Sequence, residues 1–208
     1  LADKKTAFHK WKWAYRQILI GIVFGIAAII ATNCGYKLND MVVNVRDAAP
    51  LCAGLFFGGP AGILASIIGG IYRYLYGSGD FTRIACSLAV AWAGFLAAIL
   101  RKALFDEKKP PFIYGFGIGV VCEVLHMLLI MITNMQNLPR AFLIIRQCTI
   151  PMILFVGGTV MVSTLLLEIL GGEKPAKKYR TRELTRSFQV WLLLCVFAAF
   201  AVTCLFSH

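Results

Sequence analysis

The chain has no H-E-x-x-H, no G-x-S-x-G, no P-loop and no pair of acids in an aqueous loop. The common hydrolytic and nucleotide-binding chemistries therefore lack their residues here, and no catalytic site is expected. Its seven cysteines, Cys34, Cys52, Cys86, Cys122, Cys148, Cys195 and Cys204, include no C-x-x-C pair. An odd number without metal-like spacing argues against a disulfide framework and a zinc motif, so the sequence predicts no metal and no cofactor. Nearly all lie inside apolar runs, where cysteine serves as a small buried residue. Charge is scarce too. Only 15% of residues are charged, against about 25% in soluble domains. No segment repeats with a period of roughly 20–50 residues, which sets aside a solenoid.

What the chain has in abundance is apolar sequence: 59% of its 208 residues are hydrophobic and the mean hydropathy is +0.76. Runs of about 20 apolar residues recur along its length, each long enough to cross the hydrocarbon core of a bilayer as a helix. The fold class predicted is all-α, a polytopic membrane helical bundle of about seven spans. The net charge of +11 then marks cytoplasmic loops and lipid contact rather than nucleic-acid binding.

Clear spans are predicted at 17–36, 83–101, 112–134, 142–170 and 187–206. Residues 1–16 form a basic segment in which Trp11, Trp13 and Tyr15 suit the cytoplasmic membrane interface. Residues 17–170 read as a six-span membrane domain, 171–186 as a basic cytoplasmic linker, and 187–208 as an additional span leading to further sequence.

The stretch "VRDAAPLCAGLFFGGPAGILASIIGGIYRY", residues 45–74, is either one span or two. Crossing once, with the N-terminus inside, puts 9 Lys and Arg inside and 12 outside. Folding back at Gly58-Gly59-Pro60 puts 15 inside and 6 outside. Basic residues concentrate on the cytoplasmic side, so the helical hairpin is predicted. Glycine tolerates the turn and proline suits the first turn of the next helix. Gly62, Ser66 and Gly70 recur every fourth residue, a stripe that lets membrane helices approach closely.

The hairpin sets the depth of its arginines. At ~1.5 Å per residue Arg46 lies about 18 Å above the turn and Arg73 about 20 Å. Cys86 and Ser87 come to about 21–22 Å above Arg101, and Glu123 and His126 to about 17–21 Å above the start of their span. Polar groups from four helices thus share one level in the outer half of the membrane. An arginine there costs at least ~2.5–3.5 kcal/mol unless it is paired or reaches water. The competing reading pairs Arg46 with Asp47 or Glu123 and lets Arg73 snorkel beside Tyr72 and Tyr74. Arg83, Arg140 and Arg146 are expected at the outer surface, where they make the vestibule positive. The predicted ligand-binding residues are Arg46, Arg73, Cys86, Ser87, Glu123 and His126. Arginine grips carboxylates with two parallel hydrogen bonds, so a small carboxylate is the expected ligand.

These residues resemble the LytS/YhcK-type five-transmembrane receptor domains of bacterial sensor proteins. The resemblance covers residues 40–170 and rests on "NVRDAAPLCAGLFFGGPAGILASIIGGIYRY", "ACSL", "EVLHMLLIM" and "NLPRAFLIIRQCTIPMIL". It departs at "YLYGSGDFT", which is longer than the family's usual form, and at "FVGG", where the family often has Asn. The resemblance implies a dimeric input module in the bacterial inner membrane. It would signal to a cytoplasmic histidine kinase, diguanylate cyclase or related output domain in the same chain. It also implies sensing of pyruvate-like carboxylates through Arg46, Arg73 and Cys86. The alternative is the substrate-binding membrane subunit of a vitamin-type importer, which six spans in this length also fit.

Overall fold

In the computed structural model the described residues are 2–38, 41–77 and 79–171. They form six helices: α1 (Ala2–Asn33), α2 (Ala48–Cys52), α3 (Gly59–Tyr76), α4 (Arg83–Phe105), α5 (Phe112–Thr133) and α6 (Leu138–Gly171). Four of these regions, Trp11–Asn33, Asp80–Phe105, Phe112–Thr133 and Met135–Ile169, are long and apolar enough to cross a membrane. The all-α membrane bundle predicted from composition is the fold observed. The span predicted at 187–206 lies outside the described residues. Apolar side chains such as Ile22, Ile26, Trp92, Leu154 and Phe155 face outward, as a bilayer allows and water would not.

The end of the first span differs from the sequence expectation. The first helix stops at Asn33, and a short antiparallel hairpin follows, β1 (Tyr36–Leu38) with β2 (Met41–Val43), pairing Tyr36 with Val43 and Leu38 with Met41. Val43 is buried in a cluster with Ala85, Met127, Ile130, Ala141 and Met152. The strands thereby close over one end of α4, α5 and α6.

The predicted fold-back at Gly58-Gly59-Pro60 is present. Helix α2 continues into a π-helical turn, Ala53–Phe57, and stops at Gly58 with φ +145°. An L side chain is strained at that angle, which is why glycine stands there. Helix α3 starts at once, with Pro60 in its first turn, where a missing N–H costs nothing. Two long-range partners hold the break. Gln17 of α1 is buried, its Nε2 donating to the Phe57 carbonyl at 2.8 Å and its Oε1 accepting from the Ala61 amide at 3.2 Å. Arg101 at the end of α4 donates from Nη1 to the Leu55 carbonyl at 2.7 Å. Helix ends leave backbone groups without partners, and these two side chains supply them inside an apolar bundle.

Gln17 of α1, the hairpin turn and the end of α4 with the loop after it therefore share one side of the bundle. At the opposite end Asn33 Nδ2 donates to the Tyr72 hydroxyl at 2.9 Å. The small-residue stripe serves close packing. A Cβ on Gly62 would fall 2.6 Å from the Gly54 Cα, and one on Gly70 3.1 Å from the Ser87 carbonyl oxygen.

Candidate ligand site: a buried charged cluster

The chain enters α2 through a turn that sets two ionisable side chains inside the bundle. Asn44 is buried and its Oδ1 accepts from the Arg46 amide at 3.3 Å. Backbone bonds from Ala48 to Val45 and from Ala49 to Arg46 then tighten the chain into the helix. Asn at such a position mimics a backbone turn, so the polar Asn–Val–Arg–Asp run is a device for helix entry. Non-helical backbone at membrane depth is tolerated only where protein covers it or it lines a cavity. Arg46 and Asp47 emerge 4% and 1% exposed, with Arg46 Nε 3.6 Å from Asp47 Oδ1.

Helix α5 brings the second pair. Glu123 and His126, three residues apart, lie on one face as helical geometry requires, and both are buried. His126 Nδ1 is 3.1 Å from Asp47 Oδ2 and 3.3 Å from Glu123 Oε2. On the other edge of the ring, Nε2 is 3.3 Å from the Cys86 sulfur of α4. The imidazole thus bridges α2 and α4.

Helix α3 contributes Arg73, 3% exposed. Its burial is a correction to the alternative in which it snorkels beside Tyr72 and Tyr74. The Cys86 sulfur is the common neighbour of Arg46, Arg73 and His126, and the two guanidinium groups are close enough to repel each other. Nε and Nη1 of Arg73 have no hydrogen-bond partner among the described residues. Two like charges brought together under cover is an expensive arrangement that a bound anion relieves.

Of the six residues predicted from the sequence, five, Arg46, Arg73, Cys86, Glu123 and His126, converge on this cluster. Ser87 is buried, but its hydroxyl donates to the Arg83 carbonyl of its own helix at 2.7 Å. Asp47, read from the sequence only as a counter-charge to Arg46, is a full member. Arg83 is ion-paired with Asp80, Arg140 lies over the Phe81 ring at 4.7 Å, and Arg146 is exposed.

The fold and its buried charged cluster define a class, a helical membrane bundle with ionisable side chains gathered in its interior. Residues 4–170 match the family described as "5TMR of 5TMR-LYT", and the chain belongs to that family of five-transmembrane receptor domains. It is 30% identical over 183 residues to the sensor histidine kinase YpdA of Escherichia coli K12, an alignment covering 86% of this chain and 31% of the relative. It is 28% identical over 120 residues to the sensor histidine kinase BtsS of the same strain, covering 55% of this chain and 21% of the relative. The chain thus spans less than a third of the length of either. No solved structure matches. The resemblance read from the motifs is confirmed, and the chain is a multi-pass transmembrane sensing module.

Proposed function

We propose that the module binds a small carboxylate in an outward-facing pocket and reports its occupancy to a cytoplasmic output domain in the same polypeptide. The observation that carries this reading is Arg73, buried beside Arg46 with Nε and Nη1 unpartnered. In this reading Arg46 and Arg73 hold the carboxylate, Cys86 lines the pocket, and Glu123 and His126 position Arg46 and Cys86. Binding shifts the balance between two packings of the close-packed helices, because a ligand moves an equilibrium only through its different affinity for the two states. The N-terminus is cytoplasmic, the membrane is the bacterial inner membrane, and the working unit is a homodimer. The sensor histidine kinases among its relatives support a kinase as the output. The family match favours a receptor over an importer subunit.

The test is thermal unfolding of the full-length protein in detergent with pyruvate, acetate, lactate and, for contrast, inorganic phosphate. The expected result is saturable stabilisation by one or more of the carboxylates that is lost in Arg46→Ala and Arg73→Ala. Stabilisation that survives both substitutions overturns the pocket assignment.

A further inference from the structure

The second half of the cluster has an imbalance that an anion on the arginines does not relieve. Asp47 Oδ2, Glu123 Oε2 and His126 Nδ1 converge, and one ligating atom from each residue lies within 4.8 Å of the others. A single imidazole nitrogen offers at most one proton, so it cannot satisfy two carboxylates. His126 Nδ1 faces one oxygen of each carboxylate, and the other two, Asp47 Oδ1 and Glu123 Oε1, have no hydrogen-bond partner among the described residues. The two side chains are 1% and 0% exposed.

We propose that Asp47, Glu123 and His126 form a binding site for one first-row divalent cation of the zinc type. The spacing fits. Bonds of about 2.0–2.2 Å in tetrahedral or octahedral geometry separate neighbouring ligand atoms by about 2.8–3.6 Å. Two of the three edges, 3.1 Å and 3.3 Å, fall in that range, and the third is within 4.8 Å. One imidazole with two carboxylates is a mixed nitrogen–oxygen set, which suits such ions better than the all-oxygen cages of calcium and magnesium. The surroundings supply the outer support that metal-binding histidines need. With Nδ1 on the cation, the Nε2 proton points at the Cys86 sulfur 3.3 Å away, which fixes tautomer and ring orientation. Arg46 faces the other oxygen of Asp47, Oδ1, at 3.6 Å, so guanidinium and cation approach the carboxylate from different edges. Three protein ligands leave a coordination position free for water or a ligand oxygen. The inference goes beyond the proposed function and holds whichever anion the arginines take.

The experiment uses the full-length protein in nanodiscs, stripped with EDTA, then titrated with Zn2+ and, for spectroscopy, Co2+. The expected outcome is saturable binding of one cation per chain, a rise in unfolding temperature that EDTA reverses, and visible cobalt bands without a thiolate charge-transfer band. Glu123→Gln and His126→Gln should each weaken binding by about tenfold or more. Folded wild-type protein without saturable binding overturns the proposal, and so does unchanged affinity in a folded Glu123→Gln variant. A cobalt–thiolate band overturns it as well, since it places the ion on a cysteine. The wild-type spectra decide the matter even if both variants fail to fold.

Discussion

Gln17 and Phe57 stand forty residues apart in sequence and meet at 2.8 Å, amide nitrogen to carbonyl oxygen. The same side chain also receives the Ala61 amide, so one glutamine satisfies both flanks of the break between α2 and α3. Gln17→Ala leaves a carbonyl and an N–H without these bonds in an apolar bundle, at about 1–3 kcal/mol each. Thermal unfolding in detergent should register a destabilisation on the order of 2 kcal/mol or more. An unchanged unfolding temperature would show that the turn is held by other means.

Two glycines offer a matched comparison. Gly58→Ala forces a side chain onto φ +145° and places its Cβ 2.6 Å from Gln17 Oε1. The backbone term alone is about 1–3 kcal/mol. Gly117 of α5 has nothing within 4 Å of an added Cβ. Gly117→Ala should therefore be neutral or stabilising by up to ~1 kcal/mol, since alanine is the better helix former. Equal losses from both would remove the strain argument at Gly58.

Replacing Arg73 by lysine keeps the charge and removes the planar fork. If the ligand is a carboxylate held by two parallel bonds, Arg73→Lys should weaken binding by about tenfold or more, ~1.4 kcal/mol. Calorimetry with the stabilising carboxylate measures it. Undiminished affinity would mean that Arg73 acts as a point charge.

The orientation is testable through cysteine exposure. Cys34, at the end of α1, is exposed, whereas Cys86 and Cys122 are buried. In a variant with Cys195 and Cys204 replaced by serine, a membrane-impermeant maleimide added outside spheroplasts should label Cys34. Cys86 and Cys122 should react only after denaturation. Labelling of Cys34 only after permeabilisation would reverse the assigned topology.

The parts of this architecture visible in the sequence are those where a residue breaks its surroundings. Gly58-Gly59-Pro60 interrupts an apolar run, and the uneven distribution of Lys and Arg selects the hairpin. Arg46, Arg73, Glu123 and His126 are costly in a membrane, and a constant rise per residue sets them at one depth. The rest was hidden because its partners are backbone groups or distant in sequence. Gln17 and Arg101 serve carbonyls 40 and 46 residues away, and nothing local marks a polar side chain as a cap for another helix. Ser87 follows Cys86 in sequence, but a helix turns ~100° per residue, and its hydroxyl finds its own helix's carbonyl instead. Asp47 has a counter-charge next door, which concealed its contact with His126. The strands at 36–38 and 41–43 are too short to produce a periodic signal.

The brevity of α2 governs how the domain is made. With its π-helical turn it has ten residues, about 15 Å of rise, half of what a span needs. It cannot enter the bilayer alone and must wait for α3, so the two insert together as a bent pair. Arg46 and Asp47 are carried down at that moment with only Arg73 of α3 beside them, because Cys86, Glu123 and His126 are still to be synthesised. The clasp from Arg101 also arrives later. Biogenesis thus passes through a stage in which an unfinished cluster sits within the lipid, and α5 completes it.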